Sequence, residues 1–255
     1  MQFDLFAEAV ELVEEVDGRT SAISASPRFV CWTKMQAEAG QDLSDIVRRK
    51  EYERKAGGGV FFWGIGTSLD FSRLGPSDRV DLVFSTMLST PKSEDRNPES
   101  VLVWRKYLTE SGSEVDLPPQ VLLTSRATTK LGPKKRHYAL VCHSEHELAL
   151  SDEGEFDPSA YRNAGPKGGK IGFSQVTSLL EKTSEIQSPS RYRVNFRAQL
   201  RRPFIVRLCD PVLLEPEDRR RVDDHRAEGP ATWLRFATQM RAGKPSALSE
   251  PAARP

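Results

Sequence analysis

Residues 57–66 read GGGVFFWGIG. A continuous apolar run of this length, flanked by turn-forming residues, predicts a strand that is buried on both faces. Gly64 and Gly66 have no side chains, so a ligand or another backbone segment can approach the strand closely. The run contains no catalytic group, and it therefore indicates a fold and a pocket more than a reaction.

The segments before this run predict a strand followed by a helix. Residues 29–35, FVCWTKM, are apolar and aromatic and predict the first core strand. Asp42 is suited to cap a helix in which Leu43, Ile46 and Val47 share one side, and the triple glycine ends that helix. A strand, a helix and a second strand in this order predict parallel pairing of the two strands across the helix.

The rest of the chain is dominated by short apolar segments between polar loops rich in Pro, Ser, Gly and Asp. Strands are predicted at residues 80–88, 101–108, 121–125, 138–143, 192–200 and 204–208. Further helices are predicted at residues 5–16, from about residue 174, and at residues 231–240. This pattern predicts an α+β fold in which helices flank a mixed, strongly curved sheet or a β-barrel.

The length of 255 residues is sufficient for one full core, and we predict a single domain with appendages. An acidic N-terminal helix and connector occupy residues 1–27 in this prediction, and the core domain occupies residues 28–210. A helical appendage at residues 211–242 and a flexible tail at residues 243–255 complete the predicted organisation.

Composition limits the function classes. Since 37 Lys and Arg residues face 36 Asp and Glu residues, any case for a polyanionic partner must come from local charge. Cys31, Cys142 and Cys209 are widely separated in apolar runs, which suits reduced thiols of the cytosol. The acidic start is unlike a signal peptide, and no apolar run has membrane-spanning length. We expect a soluble, cytoplasmic protein without a membrane partner.

The clearest alternating segment is residues 192–200, YRVNFRAQL. A regular strand places Arg193, Asn195, Arg197 and Gln199 on one face, opposite the apolar residues. Guanidinium and amide groups in such a row suit hydrogen bonds to phosphates or base edges. Residues 191–207 contain six arginines and no acid. The face is interpreted either as a nucleic-acid surface or as an exposed face paired with acidic segments.

Two loops add basic residues that would hold a nucleic-acid backbone with little sequence preference. These residues are Arg126, Lys130, Lys134, Lys135 and Arg136 in the first loop and Lys167 and Lys170 in the second. A solvated hairpin turn is the alternative interpretation of the first loop. The second loop lacks the spacing GxxxxGK[ST], so no NTPase is predicted.

No cofactor, metal site or assigned catalytic residue is predicted. Residues 142–147, CHSEHE, alternate between two strand faces and are not followed by a second ligand cluster. One alternative function is a nucleic-acid-modifying or base-excising enzyme that uses a carboxylate such as Asp81 or Glu99. A second alternative is a protein-interaction module that uses the acidic N-terminal helix and the basic strand.

The order of residues 29–36, a helix, residues 60–66 and later strands ending at residues 192–208 resembles the PUA-like superfamily, in particular its EVE, YTH and ASCH branches. The resemblance implies a PUA-like β-barrel or curved sheet that binds RNA or DNA, often capturing a modified base in an aromatic pocket. The implied pocket residues are Trp32, Lys34, Gln36, Phe62, Trp63, Gly64 and Ser85. The segment 145–170 and the N-terminal helix depart from a minimal member of the family.

The sequence and the resemblance together predict a non-enzymatic reader of nucleic acid, with DNA carrying a modified base favoured over RNA. The resemblance implies a restriction or defence setting. Neighbouring residues of a strand point in opposite directions, so only one of Phe62 and Trp63 can line the pocket. Stacking on such an aromatic ring contributes about 1–3 kcal/mol per base.

Overall fold

The computed structural model describes residues 27–35, 43–86, 101–117, 137–151, 154–165, 176–184 and 191–214. The elements in these ranges are β1 Phe29–Met35, α1 Leu43–Ala56, β2 Val60–Ile65, β3 Val80–Thr86, β4 Val101–Leu108, β5 His137–His143, β6 Gly154–Phe156, a 3-10 helix Pro158–Ala160, β7 Tyr161–Asn163, β8 Thr177–Lys182 and β9 Tyr192–Leu214. The strands form one mixed sheet beside α1, which confirms the predicted α+β class. In this part of the chain, no helix is both long and apolar enough to cross a bilayer.

The predicted helix and its glycine terminus are confirmed. Helix α1 ends at Ala56, and the amides of Gly57 and Gly59 donate to the carbonyls of Glu53 and Arg54. Gly59 has a φ of 95°, and a Cβ at this position would lie 2.8 Å from the imidazole of His143. Only glycine fits both the conformation and the close approach between the two strands.

The sheet is organised around β9, which is 23 residues long. Its neighbours along the main path are β5 and β3, in the order β2-β5-β9-β3-β1-β8-β7, while β6 and β4 pair with its beginning and its end. Strands β1 and β3 are parallel, and the other pairs are antiparallel. The predicted boundary at residue 210 falls inside β9, because the strand continues to Leu214 against β4.

The predicted parallel pairing of β1 with β2 is wrong. Strand β1 lies between β3 and β8, so both of its edges are occupied, and β2 instead pairs with β5 in antiparallel register. After β1, the chain therefore forms α1 and β2 first, and the parallel neighbour of β1 is the next strand, β3. Sequence order indicated a crossover but not the strand at which it ends.

The helix predicted from about residue 174 is also wrong, because residues 177–182 form β8. Leu179 and Leu180 contact two different apolar cores, which adjacent residues achieve on a strand and not on one side of a helix. The predicted elements at residues 5–16, 121–125 and 231–240, and the tail at residues 243–255, lie outside the described residues.

Among the described residues, three apolar cores lie on the two faces of the sheet. Core A contains Phe29, Phe61, Leu82, Leu140 and Phe196 among others, and packs against α1. Core B contains Phe62, Trp104, Tyr107, Val141 and Val206, whereas core C contains Trp32, Val83, Phe156, Leu180 and Val194. Phe61 and Phe62 are fully buried in different cores, which confirms the predicted strand and its burial on both faces at these residues, whereas Trp63 is half-buried and Gly64 is exposed.

Candidate functional site

A β-bulge in β9 changes which side chains share a face. Phe84 of β3 pairs with Phe196, but the next residue, Ser85, pairs with Val194. Asn195 is therefore an extra residue without a partner position in β3. Such an insertion reverses the alternation of side chains on the two sides of the bulge.

The predicted single row from Arg193 to Gln199 is consequently wrong. Val194 packs in core C, whereas Phe196 packs in core A on the other face of the sheet. Arg197 follows Phe196 and therefore lies on the core C face, while Arg193 precedes Val194 and lies on the opposite face. Arg193 is also aligned with an acidic residue, Glu155 of β6.

Arg197 shares its face with Trp32. Arg197 is the register partner of Val83, and Val83 is the register partner of Trp32. Two strand spacings, about 10 Å, therefore separate Arg197 from Trp32 in one row across β9, β3 and β1. We refer to this surface as the β9–β3–β1 face.

An aromatic and polar group surrounds Trp32 on this face. The indole Nε1–H of Trp32 donates to Ser85 Oγ at 3.0 Å, and the indole ring contacts Tyr192 edge-on with centroids 4.6 Å apart. The ring of Phe156 lies 5.7 Å away. The Trp32 cluster, defined as Trp32, Lys34, Ser85, Phe156 and Tyr192, thus joins three of the residues that the sequence analysis placed in the pocket.

Lys34 lies over the aromatic rings of Trp32 and Tyr192. Its Nζ lies 4.7 Å from the centroid of the Trp32 ring and 5.8 Å from that of Tyr192. Burial lowers the pKa of Lys34, since only 5% of the residue is exposed. The two aromatic faces offset part of the cost of desolvating the ammonium group.

An open groove of about 410 Å³ lies beside this face, where β9 passes between the start of β3 and the end of β5. The polar residues that line this arginine groove are Ser77, Asp78, Arg79, His143, Gln199, Arg201 and Arg202. Three guanidinium groups against one carboxylate give the groove a positive charge. Gln199 and Arg201 alternate with Leu200 and continue the line that begins at Arg197.

The groove is held together by Arg202 and the loop between β2 and β3. The guanidinium of Arg202 stacks on Phe204 at 4.3 Å and donates to the carbonyl oxygen of Gly75. The carboxylate of Asp78 accepts a hydrogen bond from the amide of Gly75 at 2.7 Å. Since Arg202 has this packing role, Arg79 and Arg201, which are both exposed, are the better placed to contact a ligand.

A half-buried carboxylate lies between the groove and the Trp32 cluster. Burial raises the pKa of Asp81, and the charge of Arg197 and a hydrogen bond from Gln199 oppose this effect. Burial and the charge of Asp81 likewise raise the pKa of Tyr161. The β9–β3–β1 face thus carries a carboxylate, that of Asp81, whose pKa is above its ordinary value because the effect of burial prevails.

Phe62 and Trp63 do not join Trp32. Phe62 is fully buried in core B against Tyr107, with ring centroids 4.8 Å apart, so it cannot present a face to a base. Trp63 is half-buried and packs with Phe84 on the side of core A, opposite the β9–β3–β1 face. Strand alternation had allowed one of these two residues in the pocket, and both are used for packing.

The other predicted residues divide into those the structure places and those it does not. Gly64 is exposed. Asn195 lies in β9, but its side chain is outside the part of the structure that is described. Residues outside the described ranges are Gln36, Glu99, Arg126, Lys130, Lys134, Lys135, Arg136, Lys167 and Lys170. Arg79 and His143 were not predicted as site residues, because they join β9 only through the pairing of distant strands.

We expect Ser85→Ala to destabilise the protein by about 1 kcal/mol, because the buried indole N–H of Trp32 loses its acceptor. Chemical denaturation of wild type, Ser85→Ala, Trp32→Phe and the double variant measures this effect. In the Trp32→Phe background the serine change should cost much less. Equal costs in both backgrounds would show that the hydrogen bond contributes nothing.

The function of this chain is inferred from the geometry of its described residues, for two reasons. Across the described ranges, no group of three or more His, Cys, Asp or Glu side chains converges as a metal site would require. Neither a protein-family model, nor a curated protein, nor a solved structure matches this chain.

Proposed function

We propose that the protein is a non-enzymatic reader that binds nucleic acid along the arginine groove and the adjoining β9–β3–β1 face. The observation that carries this proposal is the open, positively charged groove, with Arg79 and Arg201 exposed and Arg197 on the same surface. Clustered arginines bind phosphates through charge and geometry, even when the charge of the whole chain is balanced. The preference for DNA over RNA and the restriction or defence setting come from the resemblance to the PUA-like superfamily.

A strongly curved, PUA-like sheet is part of the proposal. In the sheet order, β5 and β9 separate β2 from β3, which is about 14 Å in a flat sheet. The rings of Trp63 in β2 and Phe84 in β3 are nevertheless only 4.7 Å apart. Curvature that folds both strands around core A accounts for this contact.

The Trp32 cluster is the proposed site for the modified base. It lies in one row with Arg197, so a strand whose backbone follows β9 can direct one base toward Trp32. Because Lys34 covers the indole and Trp32 is only 2% exposed, Lys34 must swing aside to admit the base. Stacking on the indole and a hydrogen bond from the lysine would offset the cost of unstacking the base.

The test is binding of matched modified and unmodified oligonucleotides, single-stranded and duplex, over a series of salt concentrations. We expect binding at low salt, with an affinity that falls linearly on logarithmic axes as salt rises. DNA and RNA of the same sequence should be compared in parallel. If no oligonucleotide binds at low salt, the proposed function is wrong.

We expect Trp32→Phe to reduce the preference for a modified base at least several-fold while the dependence of affinity on salt stays unchanged. The smaller ring offers less stacking area, but the phosphate contacts are kept. Trp63→Phe is the matched control, because Trp63 packs on the opposite side of the sheet. Equal losses of preference in the two variants would contradict the assignment of Trp32.

Asp81 favours a second candidate, a nucleic-acid-modifying or base-excising enzyme. Its carboxylate is half-buried, its pKa is raised, and it lies on the same face as Trp32 and Arg197. A carboxylate with a raised pKa can act as a general acid or base near neutral pH. Release of product from a modified oligonucleotide by wild type, but not by Asp81→Asn, would favour this candidate over binding alone.

A further inference from the structure

Three arginines converge on one buried carboxylate at a second place in the fold. The side chain of Glu181, in β8, is 6% exposed, and its oxygens contact the terminal nitrogens of Arg28 at 3.0 Å, Arg73 at 2.8 Å and Arg162 at 3.3 Å. The arginines come from the residue before β1, the loop between β2 and β3, and β7. We call these four residues the Glu181 cluster.

The Glu181 cluster carries a fixed net charge of two positive units. Burial by itself raises the pKa of Glu181, but hydrogen bonds from Arg28 and Arg162 and the charge of Arg73 outweigh it, so the pKa is lowered. Glu181 is therefore ionised at neutral pH, and arginine does not lose its proton in proteins. One carboxylate neutralises one of the three guanidinium groups and leaves two charges for another anion.

The three guanidinium groups also remain accessible. The exposed fractions of the side chains are 63% for Arg28, 41% for Arg73 and 51% for Arg162. Arg73 and Arg162 contact the same carboxylate oxygen, so their terminal nitrogens lie within about 6 Å of each other. A guanidinium has five N–H donors, and contact with Glu181 occupies one terminal nitrogen of each arginine. Arg73 also donates from its other terminal nitrogen to the carbonyl of Ala164 at 3.5 Å, and the remaining donors of the three groups can meet a second anion.

We propose that the Glu181 cluster binds a terminal phosphate of a nucleic-acid strand, which deepens the proposed function and rests on it. A terminal phosphomonoester carries about −1.5 to −2 at neutral pH, which matches the charge of the cluster. An internal phosphodiester carries a single charge and would leave half of the cluster unneutralised.

The loop between β2 and β3 connects this site to the arginine groove. Arg73 lies only two residues before Gly75, whose carbonyl accepts a hydrogen bond from Arg202 of the groove. Two residues of chain span at most about 7 Å between Cα atoms. A strand lying in the groove therefore reaches the Glu181 cluster within a short distance, and its end is recognised there.

The test compares three oligonucleotides of one sequence that carry a 5′-phosphate, a 3′-phosphate or hydroxyl groups at both ends. We expect one phosphorylated end to increase affinity about tenfold over the hydroxyl form, and Arg162→Gln to abolish this difference while the hydroxyl form still binds. Arg28→Gln, at the most exposed arginine of the Glu181 cluster, provides a second variant. Arg191→Gln is the control, because it removes an equal charge from an exposed ion pair with Glu155.

Inorganic phosphate provides an independent readout of the same site. Phosphate should raise the melting temperature of wild type and of Arg191→Gln. The increase should be smaller for Arg162→Gln and Arg28→Gln. Equal binding of all three oligonucleotides would show that the cluster only fastens the loop, and would overturn the inference while the proposed function stands. Absence of binding by every oligonucleotide would refute the proposed function and the inference together.

Discussion

Replacement of both Arg79 and Arg201 by glutamine will lower the affinity for an oligonucleotide about 100-fold at low salt. Both side chains are exposed at the arginine groove, and each is expected to make one charged hydrogen bond to a phosphate. We take about tenfold for each lost contact, the low end for charged hydrogen bonds, because solvent and salt screen exposed groups. Titration of a labelled oligonucleotide with each protein measures the change.

The salt dependence separates this explanation from general damage. Each lost phosphate contact should make the logarithmic salt slope shallower by about 0.9 for duplex DNA and about 0.7 for a single strand. Lys106→Gln combined with Arg191→Gln removes the same charge from exposed positions in β4 and before β9. If this control weakens binding as much as the groove variant, the groove is not the binding surface.

Arg202 is unsuitable for this experiment, although it lines the same groove. Its guanidinium stacks on Phe204 and donates to the carbonyl of Gly75, so its removal would disturb the loop that shapes the groove. A loss of binding in an Arg202 variant would therefore mix lost charge with lost structure. Arg79 and Arg201 are cleaner, because their exposure limits the structural effect of a substitution.

Local rules were sufficient for the elements near residues 57–66. Positive φ at Gly58 and Gly59 ends α1, and two-sided burial of Phe61 and Phe62 follows from a short apolar strand. Both features depend on the conformational freedom of glycine and on strand alternation, which can be read from one segment. For that reason the predicted helix, the strand after it and the α+β class agree with the structure.

Tertiary pairing decided the features that sequence reasoning missed. The bulge at Asn195 is defined by the register with β3, because the adjacent residues Phe84 and Ser85 align with Phe196 and Val194, which are two apart in β9. The local pattern YRVNFRAQL shows no interruption at this position. Similarly, Leu179 and Leu180 suit a helix or a strand until two separate cores are available. Arg79 joins Arg201 at one groove only through the pairing of β3 with β9, which their separation in sequence conceals.

Only part of the candidate site could be predicted from the sequence, again because strand pairing decides which side chains meet. Trp32, Lys34 and Ser85 form one cluster because β1 and β3 lie side by side, an adjacency that was not predicted from the sequence. Trp63 was placed with them by its chemistry, but its alternation with Phe62 and the position of β2 put it on the other face. Composition identifies candidate aromatics, whereas sheet order selects among them.

We expect Glu181→Gln to destabilise the protein by about 2 kcal/mol at neutral pH. The change leaves three guanidinium groups around a neutral amide, and loss of one partner of a buried ion pair typically costs 3–5 kcal/mol. We take a lower value because the arginines are about half exposed and are screened by solvent. For a chain of this size the melting temperature should fall by about 4–8 °C, which thermal unfolding measures.

The pH dependence distinguishes lost charge from lost packing. Because the folded state lowers the pKa of Glu181 below its ordinary value of 4.5, its contribution is complete above pH 4.5 and is lost as pH falls through the folded-state value. The difference in melting temperature between wild type and Glu181→Gln should therefore be constant between pH 7 and about pH 5 and should shrink in more acidic buffer. Glu155→Gln, which breaks the exposed pair with Arg191, should change stability by less than about 0.5 kcal/mol throughout. A difference for Glu181→Gln that persists undiminished well below pH 4 would indicate that shape, and not charge, makes this residue important.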